Sequence, residues 1–339
     1  MVRRRLGEFF SFGNIGAVYV WIAIIVIFWI WVPSTFPTSK TLQSVLNDSA
    51  VTGLVALSLT VPLTAQIFDL SVTANVGFCN MLVADLLAKT GMSFAEAIAL
   101  TLLAALAIGL LNVIVVVGLK IESFIGTLAT GALVGAATIW VSNNEPIDSG
   151  RISGSFSDIA GTQILGLTIP VFYMLVVAVV IWFVLEHTGT GRRLYATGFN
   201  VQAARLAGIK TRRLQALTLM VSGLIAGIVG VVLTSRIGAG SPGVGPPYLL
   251  TGFAAAFLGA TQLKHGRFNA WGTVIAVLLL GTGSEGLSLA AAPVWAPEVF
   301  IGVVLIAALA VTGLQRRGGV KTVREPEEAP ADPEPAVQT

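Results

Sequence analysis

The sequence predicts an all-α, polytopic membrane protein with about eight to ten membrane-spanning helices, some short or broken. Three observations predict it. Apolar residues make up 55% of the 339-residue chain and charged residues only 11%, against about 25% charged in ordinary soluble domains. Mean hydropathy is +0.86. The charges fall in short clusters between long apolar runs, so the net charge of +3 describes loops rather than a basic nucleic-acid-binding face. A cytosolic enzyme, a nucleic-acid binder and a disordered chain are excluded. The single cysteine, Cys79, forms no disulfide framework, thiolate cluster or CxxC pair. His187 and His265 lie too far apart for metal-ligand spacing, so no metal is expected.

Ten apolar blocks reach or approach span length: 17–32, 51–67, 71–89, 94–118, 121–142, 168–186, 214–234, 250–264, 269–289 and 297–313. The first follows MVRRRLGEFF, which resembles the charged start of a signal peptide. It nevertheless carries Trp21, Trp29 and Trp31 and lacks a small-residue cleavage site before Pro33. It therefore reads as a span with an aromatic belt at its outer end. The second and third are separated only by Phe68, Asp69 and Leu70, a pattern of broken helices beside a transport path. Asp85, Glu96 and Glu122 sit near span ends, where interface water suffices. The fifth and seventh contain Gly131–Gly135 and Gly223–Gly227, GxxxG spacings that suit close helix packing. The eighth is short, and IGAGSPGVGPPY (237–248) before it reads as an outer loop or a re-entrant segment. In the ninth, GTGSEG (281–286) matches GxGxxG formally. It lacks the strand and opening helix of a dinucleotide site and reads as a place of close helix contact.

Basic residues orient the chain. With the N-terminus inside, sixteen of the twenty Lys and Arg residues fall on the inner side, so both termini are expected in the cytoplasm. After Gly318 the composition turns rich in proline and acid with nothing to pack. The expected organisation is a cytoplasmic segment 1–16, a transmembrane domain 17–317 containing a cytoplasmic loop 187–213, and a disordered cytoplasmic tail 318–339. No segment is long enough for an ATPase or a binding protein.

The loop 187–213 (HTGTGRRLYATGFNVQAARLAGIKTRR) is the longest inner connection. Val201–Ala207 reads as a short helix capped by Asn200 and stopped by Gly208, where positive φ is cheap. Ala203, Ala204 and Ala207 leave a smooth face. One reading is a basic loop held by anionic lipid headgroups. The other is a docking helix for a cytoplasmic partner, with Arg205 and Arg192–Arg193 supplying charge-assisted contacts.

TGRRLYATGFNVQAARLAGI resembles the coupling loop of ribose-type ABC importer permeases. The matches are Gly191, Arg192, Tyr195, Ala196, Gly198, Asn200, Ala203, Ala204, Arg205, Gly208 and Ile209. The likeness spans about residues 15–313, through Phe68–Val72, 92–130 with Asn112, Ser123, Phe124, Ile125, Thr127 and Leu128, and two C-terminal blocks. Departures stand at Gln66, Ile67, Thr73, Val113, Thr251 and His265, all outside the coupling loop. The resemblance implies the membrane subunit of an ATP-driven importer working by alternating access. Gly191, Arg192, Tyr195, Gly198, Asn200, Ala203, Ala204, Arg205, Gly208 and Ile209 would couple it to the ATPase. Implied partners are an ABC ATPase subunit, a second permease copy or paralogue, and an extracytoplasmic solute-binding protein, in a bacterial inner membrane. ATP and Mg would bind the ATPase, with no cofactor on this chain. A monosaccharide leads as substrate; nucleosides and branched-chain amino acids are alternatives within the superfamily.

Asp69, Leu70, Ser71, Asn112 and Phe124 are the candidate substrate path. Asp69 is costly in hydrocarbon: it either caps the helix that follows, with help from Ser71, or lines the path, and the two are compatible. No nucleophile triad, Walker lysine or paired-carboxylate spacing appears, so no catalytic residue is expected. An ion-driven carrier would need coupled intramembrane carboxylates, for which only Asp69 and Glu285 stand. A non-transporting scaffold has only the acidic tail in its favour.

Overall fold

A computed structural model describes residues 12–263 and 266–318, with side chains over 17–263 and 266–310. The inner arginines 3–5, Lys264, His265 and the tail beyond 318 lie outside the described residues. Every predicted block becomes a helix: α1 (Phe12–Trp31), α2 (Ser39–Leu63), α3 (Val72–Lys89), α4 (Phe94–Asn112), α5 (Ser123–Ser142), α6 (Ile169–His187), α9 (Thr211–Ile237), α10 (Pro247–Ala260), α11 (Ala270–Leu289) and α12 (Ala296–Gly318). Two further helices, α7 (Gly189–Phe199) and α8 (Val201–Leu206), lie between α6 and α9. Six described helices are long and apolar enough to cross a membrane: 39–63, 94–118, 123–142, 169–187, 211–237 and 270–289. Shorter apolar helices run over 17–31, 247–260 and 296–310.

The helix ends follow from side chains. Ser93 and Glu96 form a capping box that starts α4, and Glu122 accepts from the backbone N–H groups of Phe124 and Ile125 at the start of α5. These carboxylates satisfy donors that a helix start leaves free. Asn200 caps α8 and Asn269 caps α11. Gly238 closes α9 at φ +77, a conformation glycine adopts without steric cost. Residues 113–118 continue α4 as a π-helical turn.

Helix α2 is the centre, buried almost continuously from Ser49 to Leu63 and packed on α6, α9, α10 and α11. Helix α9 packs against α2, α3 and α4. Its Gly223 and Gly227 meet α4: an added Cβ would lie 3.0 Å from the Ala105 carbonyl oxygen and 2.5 Å from Ala105 Cβ. Both glycines thus serve the close packing their spacing predicts. Helix α3 owes its lower apolarity to Asn75 and Asn80, which are buried and bonded across to α4 and α9: Asn75 donates to Ala105 and Gly223 carbonyls, Asn80 to Thr234 Oγ1 at 2.7 Å. In the ninth block, Gly283 faces Phe300 and Gly286 faces Phe28, contacts a side chain would obstruct.

The segment between α5 and α6 is folded. Strand β1 (Ile147–Asp148) pairs antiparallel with β4 (Ala239–Gly240), and β2 (Gln163–Ile164) with β3 (Leu167–Thr168). Asn47 ties the β2–β3 hairpin to α2, accepting from Thr168 N at 2.8 Å. The 237–248 stretch accordingly contributes a strand before α10.

Candidate functional site

Helix α2 ends just past Pro62, its last α-helical bond running from Thr64 N to the Thr60 carbonyl, and residues 65–71 cross to α3 as turns and irregular backbone. Irregular backbone at this depth must find partners inside the protein. Helix α5 supplies them: Phe68 N donates to Ser123 Oγ at 3.1 Å, Leu70 N donates to Thr127 Oγ1 at 3.0 Å, and Thr127 Oγ1 donates to the Phe68 carbonyl at 3.2 Å. Helix α5 therefore fixes the break between α2 and α3.

Asp69 lies in this break and is 1% exposed. Its Oδ1 accepts from Ser71 N at 3.2 Å, Ser71 Oγ at 2.6 Å and Asn112 Nδ2 at 3.4 Å, and its Oδ2 from Ser222 Oγ at 2.8 Å. Asn112 Nδ2 also donates to Ser71 Oγ at 2.6 Å. Among the described residues no cation pairs with this carboxylate. Hydrogen bonds alone replace its hydration, which for a buried charge is the minimum requirement. The sequence-predicted Asp69, Ser71 and Asn112 thus come together, with Asp69 accepting from the Ser71 N–H in a turn that precedes α3, whose first free N–H groups receive no side-chain cap. Leu70 is half-buried, and Phe124 is 48% exposed, outside the knot. Ser222 on α9 is the member that sequence reasoning missed: nothing local marks a serine as the partner of a residue 153 positions away.

Helices α7 and α8 form a second, quite different feature. Thr188 caps α7 by accepting from Gly191 N at 3.2 Å. Gly191 and Gly198 are places of backbone contact: a Cβ on either would lie 2.1 Å from a carbonyl oxygen, of Leu185 and Thr64 respectively. Gly198 therefore seats α7 directly against the C-terminal end of α2. Tyr195 Oη donates to the Phe268 carbonyl at 2.8 Å, joining α7 to the start of α11. Burial, and then the Glu186 carboxylate, raise the Tyr195 phenol above its ordinary value, so it stays a neutral donor. Arg267 stacks 5.5 Å over Tyr195 and 5.0 Å over Phe199.

Asn200 Oδ1 accepts from Ala203 N at 2.9 Å, starting α8, and Gly208 follows its end at φ +78. Ala204 is buried, Arg205 Nε donates to Thr211 Oγ1 at 3.0 Å, and Ile209 is half-buried. The opposite side is open: Arg192, Asn200, Ala203, Arg205 and Gly208 are exposed, and Leu206 is 91% exposed. Beside it a cavity of about 420 Å³ is lined by Lys120, Glu122, Arg205 and Arg212. Two residues were missed by the sequence reading. Leu206 and Phe199 (66% exposed) put bare apolar surface on a basic loop, a signal present in the sequence as lone large apolar residues among polar ones. The loop also contains a full helix, 189–199, ahead of the short helix its sequence predicts. Among the described residues, no group of three or more His, Cys, Asp or Glu is placed to hold a metal ion.

The comparisons with known proteins agree on one family. The sequence profile described as "Branched-chain amino acid transport system / permease component" matches residues 41–309. The ribose import permease protein of Bacillus subtilis is 32% identical over 266 residues, covering 78% of this chain and 82% of the relative. The D-allose transport system permease protein of Escherichia coli is 28% identical over 299 residues, 88% of this chain and 91% of the relative. The L-arabinose ABC transporter permease protein of Azospirillum brasilense is 30% identical over 308 residues, 91% and 89%. No solved structure matches the chain. The chain belongs to this permease family and is the multi-pass membrane permease subunit of an ABC importer, a transport subunit rather than an enzyme.

Proposed function

We propose that this permease imports a monosaccharide handed over by an external solute-binding protein, driven by a separate ATPase docked on α7 and α8. It would work as a homo- or heterodimer of permeases in the bacterial inner membrane, with the α7–α8 end and both termini in the cytoplasm and with ATP and Mg held by the ATPase. The sugar class is supported by the similar proteins, which are permeases for ribose, allose and arabinose. The organisation proposed for the chain is a short cytoplasmic start (1–16), a permease domain (17–317) and a cytoplasmic tail (318–339).

The observation that carries the docking assignment is the two-sidedness of α7 and α8. One side is seated on the ends of α2 and α11 through Gly198 and Tyr195, and Arg205 ties α8 to α9. The other offers Leu206, Ala203, Arg192 and Arg205 to a partner. A push on that side is delivered straight to the end of α2 and so to the broken segment 65–71. In this mechanism the exposed Phe124 and half-buried Leu70 face the solute path. Asp69, Ser71 and Asn112 hold the break from behind.

Co-expression with an ATPase from the same operon tests the reading. The tagged permease should carry the ATPase through purification, and Arg205→Glu should lose it while the permease still purifies. Retention of the ATPase by Arg205→Glu would remove Arg205 from the interface. A wild-type chain that purifies alone in every detergent would remove the docking assignment. Uptake of labelled ribose, allose and arabinose by cells carrying the whole importer, against leucine and a nucleoside, tests the sugar class.

A further inference from the structure

At the end of the bundle away from α7 and α8, a cavity of about 260 Å³ lies between α2, α10, α11 and α12. Ser49 on its wall stands 15 positions before Thr64, the α7 contact, or about 22 Å along a helix. Asp48, Ser49, Thr52, Thr251, Ser284 and Glu285 supply its polar lining, with Ser288 at the exposed rim. Elsewhere in the bundle hydroxyls are occupied by carbonyls one turn back, as at Thr60, Thr101, Thr138 and Thr282. Here they are not. Ser49 is 4% exposed, and its Oγ has no hydrogen-bond partner. Thr52, Thr251 and Ser284 make no side-chain hydrogen bond among the described residues, and Glu285 makes neither a hydrogen bond nor an ion pair there. Asp48, by contrast, is committed to Arg236 and accepts from Ser44 Oγ at 3.1 Å. Gly281 keeps the wall open beside Ser49, since a Cβ there would lie 2.1 Å from Ser49 Oγ.

The buried, unpaired Ser49 hydroxyl is costly unless something bonds to it, and the half-buried Thr52, Thr251, Ser284 and Glu285 stand beside it with their polar atoms uncommitted. The lining contains no cation to hold an anion and no aromatic ring to hold an organic cation. Arg236 at the Asp48 rim further opposes a cation. What remains is a ligand with many hydroxyls. A carboxylate can accept from two adjacent hydroxyls, while serine and threonine both donate and accept. Val277 and Leu280 offer C–H surface beside them. The volume lies just under the roughly 300 Å³ at which drug-sized pockets begin, so the ligand is small.

We propose that this cavity is a binding site within a single permease chain for a neutral polyhydroxylated solute of monosaccharide size. Glu285 accepts from its hydroxyls, and Ser49, Thr52, Thr251 and Ser284 complete the ring. The proposal rests on the monosaccharide reading above and adds the place where one chain holds the solute.

Cys79 is the only cysteine of the chain and is fully buried, so Thr251→Cys or Ser284→Cys introduces one reachable thiol. In membranes carrying the complete importer, methyl methanethiosulfonate should label that thiol. D-ribose, D-allose or L-arabinose should slow the labelling, and choline should not. Adding Glu285→Gln should raise the half-protecting sugar concentration about tenfold, the scale of one charge-assisted hydrogen bond. Two thiol positions guard against one variant failing to fold. Labelling that no sugar slows, in cells that import one of the three, overturns the site and leaves the sugar importer standing. Neither protection nor import of any of the three overturns both. Protection by choline alone, unreactive thiols at both positions, or an unchanged half-protecting concentration in Glu285→Gln also overturns the site as described.

Discussion

The knot around Asp69 and the helices α7 and α8 use the same kinds of polar residue in opposite ways. In the knot, Ser71, Asn112 and Ser222 turn inward on one carboxylate that is 1% exposed. On α7 and α8, one side is fastened to the bundle by Tyr195 and Gly198 while the other keeps Leu206 91% exposed. The difference teaches where polar residues are spent on the chain's own interior and where they are left at its surface. The Asp69 carboxylate finds all its partners within the chain, and only Asn112 Oδ1 in the knot is left without one, so the network contributes to folding. Leu206, bare beside exposed Arg192 and Arg205, is what the docking proposed above would cover.

Four substitutions test that contrast. Asp69→Ala should have the largest effect, because it removes the acceptor of four hydrogen bonds in the interior. A loss of about 3 kcal/mol or more is expected, seen as a lower melting temperature and poor monodispersity in detergent. A variant as stable as wild type would mean the knot carries no folding energy. Leu206→Glu should leave stability within about 0.5 kcal/mol, as for an exposed position, yet reduce ATPase capture about tenfold. If it instead unfolds the permease, α8 belongs with the core. Asn200→Ala should cost about 1 kcal/mol through the lost cap, read as faster amide exchange confined to 200–206. Smallest is Ser222→Ala, at about 0.6 kcal/mol, the average for a hydrogen bond between membrane helices. A cost near that of Asp69→Ala would show that Ser222 Oγ dominates the knot.

Much of this architecture is legible in the sequence because span-length apolar blocks leave few alternatives. All ten blocks became helices, and the break at Phe68–Leu70 appears where two blocks nearly touch. The Asn200 cap and the Gly208 stop are equally local and equally readable. What could not be read is non-local. Ser222 meets Asp69 across 153 positions, and Ile147 pairs with Gly240. Helix α7 was obscured by its glycines, since Gly191 and Gly198 resemble loop residues until the carbonyls of Leu185 and Thr64 are seen against them. The unpaired hydroxyls beside Glu285 required the same kind of information, because a serine's freedom is a property of its neighbours.

The π-helical turn at 113–118, directly after Asn112, carries a consequence for insertions and deletions. Such a turn holds one more residue than an α-helical turn spanning the same bonds. Deleting Val115 would let α4 run on as a regular helix, with Asn112 still facing Asp69 and the start of α5 still within reach. Deleting Ala104, inside the regular part of α4, would rotate everything after it by about 100° and carry Asn112 away from the carboxylate. The chain therefore contains a built-in position of length tolerance, one residue deep, between its buried knot and the helix that clamps the break.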